Sequence, residues 1–143
     1  MDATVIAQAY LDEVALAVMA DNWDAYRHCI SSPFLMINHT GTMHFATPED
    51  LRSLYTEFLG MLRTQRVTDY IRLVEDAELI DRDLITARYV THLLSGGNRI
   101  MDPVRSSISL RFEDGRWRAA SITNALSNSR WPSLLPRLGE DPL

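Results

Sequence analysis

Few groups in this chain could move a proton near neutral pH, and their positions narrow the chemistry. His39 lies in the run Ile37-Asn38-His39-Thr40. An imidazole there could serve as a general acid or base, or equally be a hydrogen-bonded loop histidine. Asp69 alternates with Ile71 and Leu73, a spacing that turns all three to one face, taken here as the inner one. Tyr55 is one of four tyrosines, with Tyr10, Tyr26 and Tyr89, that fall on expected inward faces. A buried phenol seeks a partner; it can donate to a ligand carbonyl or enolate, or simply bond backbone within a core. The candidate catalytic set is therefore His39, Asp69 and Tyr55. Asp102, beside Pro103, reads as a turn residue. His28 falls in a short helix, His44 on an exposed hairpin, and His92 on an outer strand face with Arg88 and Val90.

Other chemistries find no foothold in the sequence. The histidines and acids show no metal-ligand spacing, so no metal is expected. Gly96-Gly97 follows a strand but opens no helix, so no phosphate loop and no organic cofactor are expected. Serine-nucleophile motifs are lacking. Asp81-Arg82-Asp83 falls between two strands and reads as a hydrated turn.

The 143 residues fit one domain with its own core. Hydrophobic residues at 46% and charged residues at 23% match globular averages. A net charge of −5 and the lack of any basic run argue against a nucleic-acid partner, which needs a cationic footprint. No apolar stretch approaches the ~20 residues that span a bilayer. Asp2, Asp12 and Glu13 break up the N-terminal apolar residues, so no secretory signal is expected. The single cysteine, Cys29, suits a reducing compartment and a buried structural thiol. A cytoplasmic location follows as the default.

Two helices are expected first. Ile6, Tyr10, Val14, Ala17 and Val18 share one stripe of a helix over residues 2–20, with Asp2 as its cap. Asp21 or Asn22 then opens a short helix burying Trp23, Tyr26 and Ile30, ended by Ser31-Ser32-Pro33. Phe34 to Thr40 and Thr42 to Phe45 make a small hairpin about Gly41. Thr47-Pro48-Glu49-Asp50 starts a long helix: a cap, a proline at the first position, and two acids at the positive end of the dipole. Leu51, Leu54, Tyr55, Phe58, Leu59 and Leu62 form its apolar stripe.

From Val67 the period changes to two. Four long strands are expected over 67–80, 84–94, 104–113 and 116–125, the last two joined at Asp114-Gly115. A two-residue turn there sets Phe112 opposite Trp117, Leu110 opposite Ala119, Ile108 opposite Ser121 and Ser106 opposite Thr123. That face is apolar near the turn and small and polar far from it, like the floor of a cavity. The chain thus divides into one α+β domain over 1–125 and a tail over 126–143. The tail's Trp131, Leu134 and Leu135 suggest docking on the domain or on a partner.

This order resembles the nuclear transport factor-like, or cystatin-like, cone fold. Asp21-Asn22-Trp23, Gly41, Thr47-Pro48-Glu49-Asp50-Leu51 and Asp114-Gly115-Arg116-Trp117-Arg118 carry the likeness. It implies N-terminal helices packed in the concave face of a strongly curved antiparallel sheet, a cone-shaped α+β barrel. It also implies an internal pocket and a homodimer through the outer sheet face. The fold hosts ketosteroid isomerases, SnoaL-like polyketide cyclases, limonene epoxide hydrolases, dehydratases, dioxygenase small subunits and binding modules. Isomerase-like members keep a carboxylate base near the first small strand, yet no Asp or Glu occurs here between Asp24 and Glu49. Epoxide hydrolase members need an inward Asp-Arg-Asp cluster, which Asp81-Arg82-Asp83 does not replace.

The expected pocket comprises Tyr10, Tyr26, Phe34, Met36, Phe58, Tyr89, Ser106, Ile108, Trp117, Ser121 and Thr123. It suits a small apolar or amphipathic molecule. Cofactor-free acid–base isomerisation, cyclisation or dehydration is one reading. A non-catalytic ligand-binding or dimeric assembly module, or an accessory subunit of a larger enzyme, is the other.

Overall fold

The computed structural model describes residues 1–39 and 41–124. Thr40 and the tail from 125 onward lie outside the described residues, and so does the expected docking of 126–143. Helix α1 spans Ala3–Met19, and the Asp2 carboxylate caps it by accepting from the Thr4 amide at 2.9 Å. Helix α2 spans Trp23–His28, capped by Asn22, whose side-chain oxygen accepts from the Ala25 amide at 3.1 Å. Strand β1 (Ile30–Asn38) and β2 (Gly41–Phe45) form the small hairpin. Helix α3 (Pro48–Thr64) opens as its sequence predicts. The Thr47 hydroxyl accepts from the Asp50 amide, and the Asp50 carboxylate accepts from the Ala46 amide, both at 3.2 Å.

Five strands complete the chain: β3 (Asp69–Asp81), β4 (Leu84–Ser95), β5 (Asn98–Arg99), β6 (Val104–Glu113) and β7 (Arg116–Asn124). The sheet runs β2-β1-β7-β6-β4-β3, with β5 paired to β4. It is curved and unclosed, and its fold is the expected α+β cone with helices against one face. The sheet is mixed rather than wholly antiparallel, because β1 and β7 run parallel. No helix among the described residues is long and apolar enough to cross a membrane.

Two local expectations give way to tertiary pairing. Ile30 does not belong to the second helix; it opens β1 and pairs with Ala119. The Ala119 amide donates to the Cys29 carbonyl at 2.9 Å, so one more helical turn would forfeit a strand pairing in the core. Pro33 stands inside β1 rather than ahead of it. It falls in the stretch between Ile30 and Leu35 where the β1–β7 register is interrupted, which suits a residue without an amide hydrogen.

The second departure is a bulge in the last hairpin. Phe112 faces Trp117 and Leu110 faces Ala119 as the turn dictates, but the register shifts between Ser109 and Leu110. Beyond the shift, Ile108 pairs with Ile122 and Ser106 with Asn124, instead of with Ser121 and Thr123. One extra residue in β7 exchanges the two faces of that strand's end.

Candidate functional site

The bulge decides which residues floor the interior. Past it, Ile122 and Asn124 turn inward, whereas Thr123 is exposed and lines a groove on the outer face with Arg88 and Arg105. The register then sets Tyr89, Ser106 and Asn124 side by side across β4, β6 and β7. Arg72 and Thr91 form the neighbouring row on β3 and β4. The sheet therefore offers a strip of polar groups beneath the helices.

Apolar side chains enclose this strip. A cavity of about 70 Å³ is bounded by Tyr10, Val14 and Val18 of α1, Tyr26 of α2, and Leu54 and Phe58 of α3. Ile30, Phe34 and Met36 of β1 close it from the hairpin side, and Tyr70, Val104 and Ile122 complete the floor. That volume holds several waters, at roughly 10–15 Å³ each, or a small organic molecule.

At its centre lies Arg72, which is 5% exposed. Its guanidinium carbon sits 5.0 Å from the Tyr70 ring centroid and 5.4 Å from that of Tyr89. The Tyr89 hydroxyl also lies beside the guanidinium. Nε and Nη2 are buried, and no acceptor among the described residues reaches them. Burial of the charge is offset in part by two aromatic faces. Gln8 of α1 fixes the strand beneath: its amide nitrogen donates to the Arg72 carbonyl at 2.7 Å, and its oxygen accepts from the Val74 amide at 2.9 Å. Because β3 ends the sheet, this side chain stands in for the missing neighbouring strand.

The candidates drawn from sequence separate cleanly by place. Tyr10, Tyr26, Phe34, Met36, Phe58, Tyr89 and Ser106 all line the cavity. Ile108 is buried in the core beside it, and Trp117 packs edge-on against Phe112 near the hairpin turn, 5.3 Å between centroids. Ser121 and Thr123 lie off the cavity for the reason given. Asp69 is a correction: with Ile71 and Leu73 it faces outward, and its carboxylate accepts from the Thr68 hydroxyl at 2.9 Å. The inward set on β3 is Tyr70, Arg72 and Val74. His39 is exposed at the hairpin turn and does not line the cavity. No Asp, Glu or His is among the described lining residues. No group of three or more His, Cys, Asp or Glu among the described residues could hold a metal.

Tyr55 is buried but engaged elsewhere. Its hydroxyl donates to the Asp21 carboxylate at 2.8 Å, and Arg63 donates to the same carboxylate at 3.0 Å. These two bonds hold Asp21 below the usual carboxylate range. The Tyr55 ring packs 4.8 Å from Tyr26 and 5.2 Å from Trp23, joining α2 to α3. Tyr55→Phe should therefore lower stability by about 1 kcal/mol, measured by urea unfolding, while leaving ligand binding in the cavity unchanged.

Three of the lining tyrosines, Tyr10, Tyr26 and Tyr70, are held as neutral phenols. Burial raises Tyr10 and Tyr26, and it pushes Tyr70 up to about 12 from its ordinary value of 10.0. The Tyr10 hydroxyl is already committed, donating to the Cys29 carbonyl at 2.6 Å. Burial likewise pushes the Cys29 thiol up to about 11, so it is the structural thiol its surroundings suggested. The sign of the tyrosine shifts fixes a pH dependence. Above pH 10 the unfolded chain loses phenolic protons that the folded chain keeps until about 12. Stability is thus complete below pH 10 and falls as pH rises through that window, by about 1.4 kcal/mol per pH unit for each such tyrosine. The tyrosinate absorbance contributed by Tyr10, Tyr26 and Tyr70 should rise in step with loss of the fold, not ahead of it.

No family model and no curated protein matches the chain. Its architecture is widely shared, with 278 solved chains matching, which is why architecture alone selects no function. A domain of unknown function with a cystatin-like fold from Nostoc punctiforme is 11% identical, with a TM-score of 0.62 over 82% of this chain and 73% of that one. A nuclear transport factor 2-like protein of unknown function from Shewanella oneidensis is 10% identical, with a TM-score of 0.59 over 81% and 93%. A candidate aromatic ring hydroxylase from Novosphingobium aromaticivorans is 12% identical, with a TM-score of 0.60 over 85% and 86%.

Proposed function

Starting from a chain with the nuclear transport factor-like, cystatin-like cone fold, we propose that this protein binds a small, largely apolar molecule inside the cone. The observation that carries the reading is the cavity of about 70 Å³ enclosed by α1, α2, α3 and the sheet. It has the features of a ligand site: apolar walls with a few convergent polar groups on one side. Binding is favoured over proton-transfer catalysis because the described lining holds phenols, hydroxyls and an amide but no carboxylate or imidazole to act as base. The candidates for that role, His39 and Asp69, stand outside the cavity.

The test is thermal melting of the full chain with a panel of one-ring compounds, beside a variant in which the space is filled. Val14 is 4% exposed and lines the cavity, so Val14→Phe should occupy it at a cost of about 1–3 kcal/mol. The expected result is a saturable rise in melting temperature for the wild type and none for the variant. Wild type indifferent to every compound, or a variant that binds as well, would remove the proposal.

A further inference from the structure

Arg72 is more than the cavity needs in order to hold an apolar molecule. A buried guanidinium without an anionic partner is a standing cost to the fold, and such a group is retained where something else balances it. Among the described residues lining the cavity, Arg72 carries the only full charge. Its neighbours Tyr70 and Tyr89 offer ring faces and one hydroxyl, which soften the burial but do not neutralise it.

The unpartnered atoms are specific ones. Nε and Nη2 lie on the same edge of the guanidinium, with N–H bonds running parallel, and both are buried without an acceptor. That edge matches two oxygens on one planar centre. A single balancing charge calls for a monoanion rather than a dianionic phosphate, and the remaining walls are apolar and aromatic. Thr91, paired with Arg72 in the sheet, and Ser106 supply hydroxyls on the same floor.

Resting on the cavity-binding reading above, we infer that the ligand is a small monocarboxylate with an apolar body, held side-on by Nε and Nη2 of Arg72. Gln8 is then a positioning residue: its two hydrogen bonds to the β3 backbone hold the strand from which the guanidinium reaches inward.

Calorimetric titration of the full chain with benzoate, its neutral isostere benzamide, and phenyl phosphate tests this. Benzoate should bind about 10–100-fold tighter than benzamide, the margin of a charge-assisted fork over neutral hydrogen bonds. Arg72→Met should abolish that margin, so that benzoate binds no tighter than benzamide. Arg72→Lys, which keeps the charge but not the fork, should retain only part of it. Benzamide binding as tightly as benzoate would overturn the anion inference and leave the cavity reading standing. Phenyl phosphate binding tighter than benzoate would overturn the monocarboxylate assignment. Failure of all three ligands to bind would overturn both the inference and the reading it rests on.

Discussion

Arg72→Met should make the ligand-free protein more stable, by about 1–4 kcal/mol in urea unfolding. Replacing a buried charge with a side chain of similar length removes its desolvation penalty, and comparable exchanges of buried ionic groups have gains of that order. The opposing terms are the cation–π contacts to Tyr70 and Tyr89, at 5.0 and 5.4 Å. Each cation–π contact is worth about 2 kcal/mol when desolvated, set against the penalty of burying an ion that no anion balances. A saturating carboxylate should reverse the order, because it stabilises only the chain that can pair with it, by about 4.1 kcal/mol at a thousandfold excess over Kd. A variant less stable than the wild type without ligand would mean that the folded chain already balances the charge internally.

Phe34→Ala should have the largest effect on the fold, a loss of about 3–5 kcal/mol. Phe34 is 1% exposed, packs 5.9 Å from Phe45 across the hairpin, and forms one wall of the cavity. Because the wall faces existing empty space, the surroundings have little with which to refill the site. Against a total stability of about 5–15 kcal/mol, the loss is severe. Urea unfolding measures it, and melting with the one-ring panel should show the enlarged cavity accepting bulkier compounds than the wild type does. A cost below about 1 kcal/mol would mean that Phe34 is not packed as described.

How much of this was legible in the sequence depends on which rule governs each element. Caps and turns are local, so Asp2, Asn22, Thr47-Pro48 and Asp114-Gly115 marked their elements where the structure has them. The inward faces of α1 and β4 followed from periodicity, which brought Tyr10 and Tyr89 to the cavity. The face of a long strand is less secure, because one bulge reverses it. The extra residue in β7 moved Ser121 and Thr123 off the floor and brought Asn124 onto it. No residue type announced that bulge.

Arg72 is concealed in the sequence for a different reason. Of the two faces of β3, Ile71 and Leu73 look more like core than Tyr70 and Arg72, and apolar character ordinarily marks the inward face. Yet Leu73 is 51% exposed and Arg72 5%. The signal was present in the hairpin: Arg82-Asp83 as a two-residue turn, with Ile85, Ala87 and Tyr89 facing in, places the even-numbered residues of β3 inward. Two bulges, between Val74 and Asp76 and between Leu79 and Asp81, cancel in parity, so the inward face set by the turn carries through to Arg72. It was the chemistry, a charge facing a core, that made the correct face look wrong.

A crystal structure of the full chain grown with benzoate shows whether Arg72 holds a carboxylate inside the cone. The ring is expected among Val14, Phe34, Phe58 and Ile122, with one carboxylate oxygen on Nε and the other on Nη2 of Arg72. Benzoate bound only outside the cone, or those two nitrogens paired with a carboxylate of the chain itself, would contradict it.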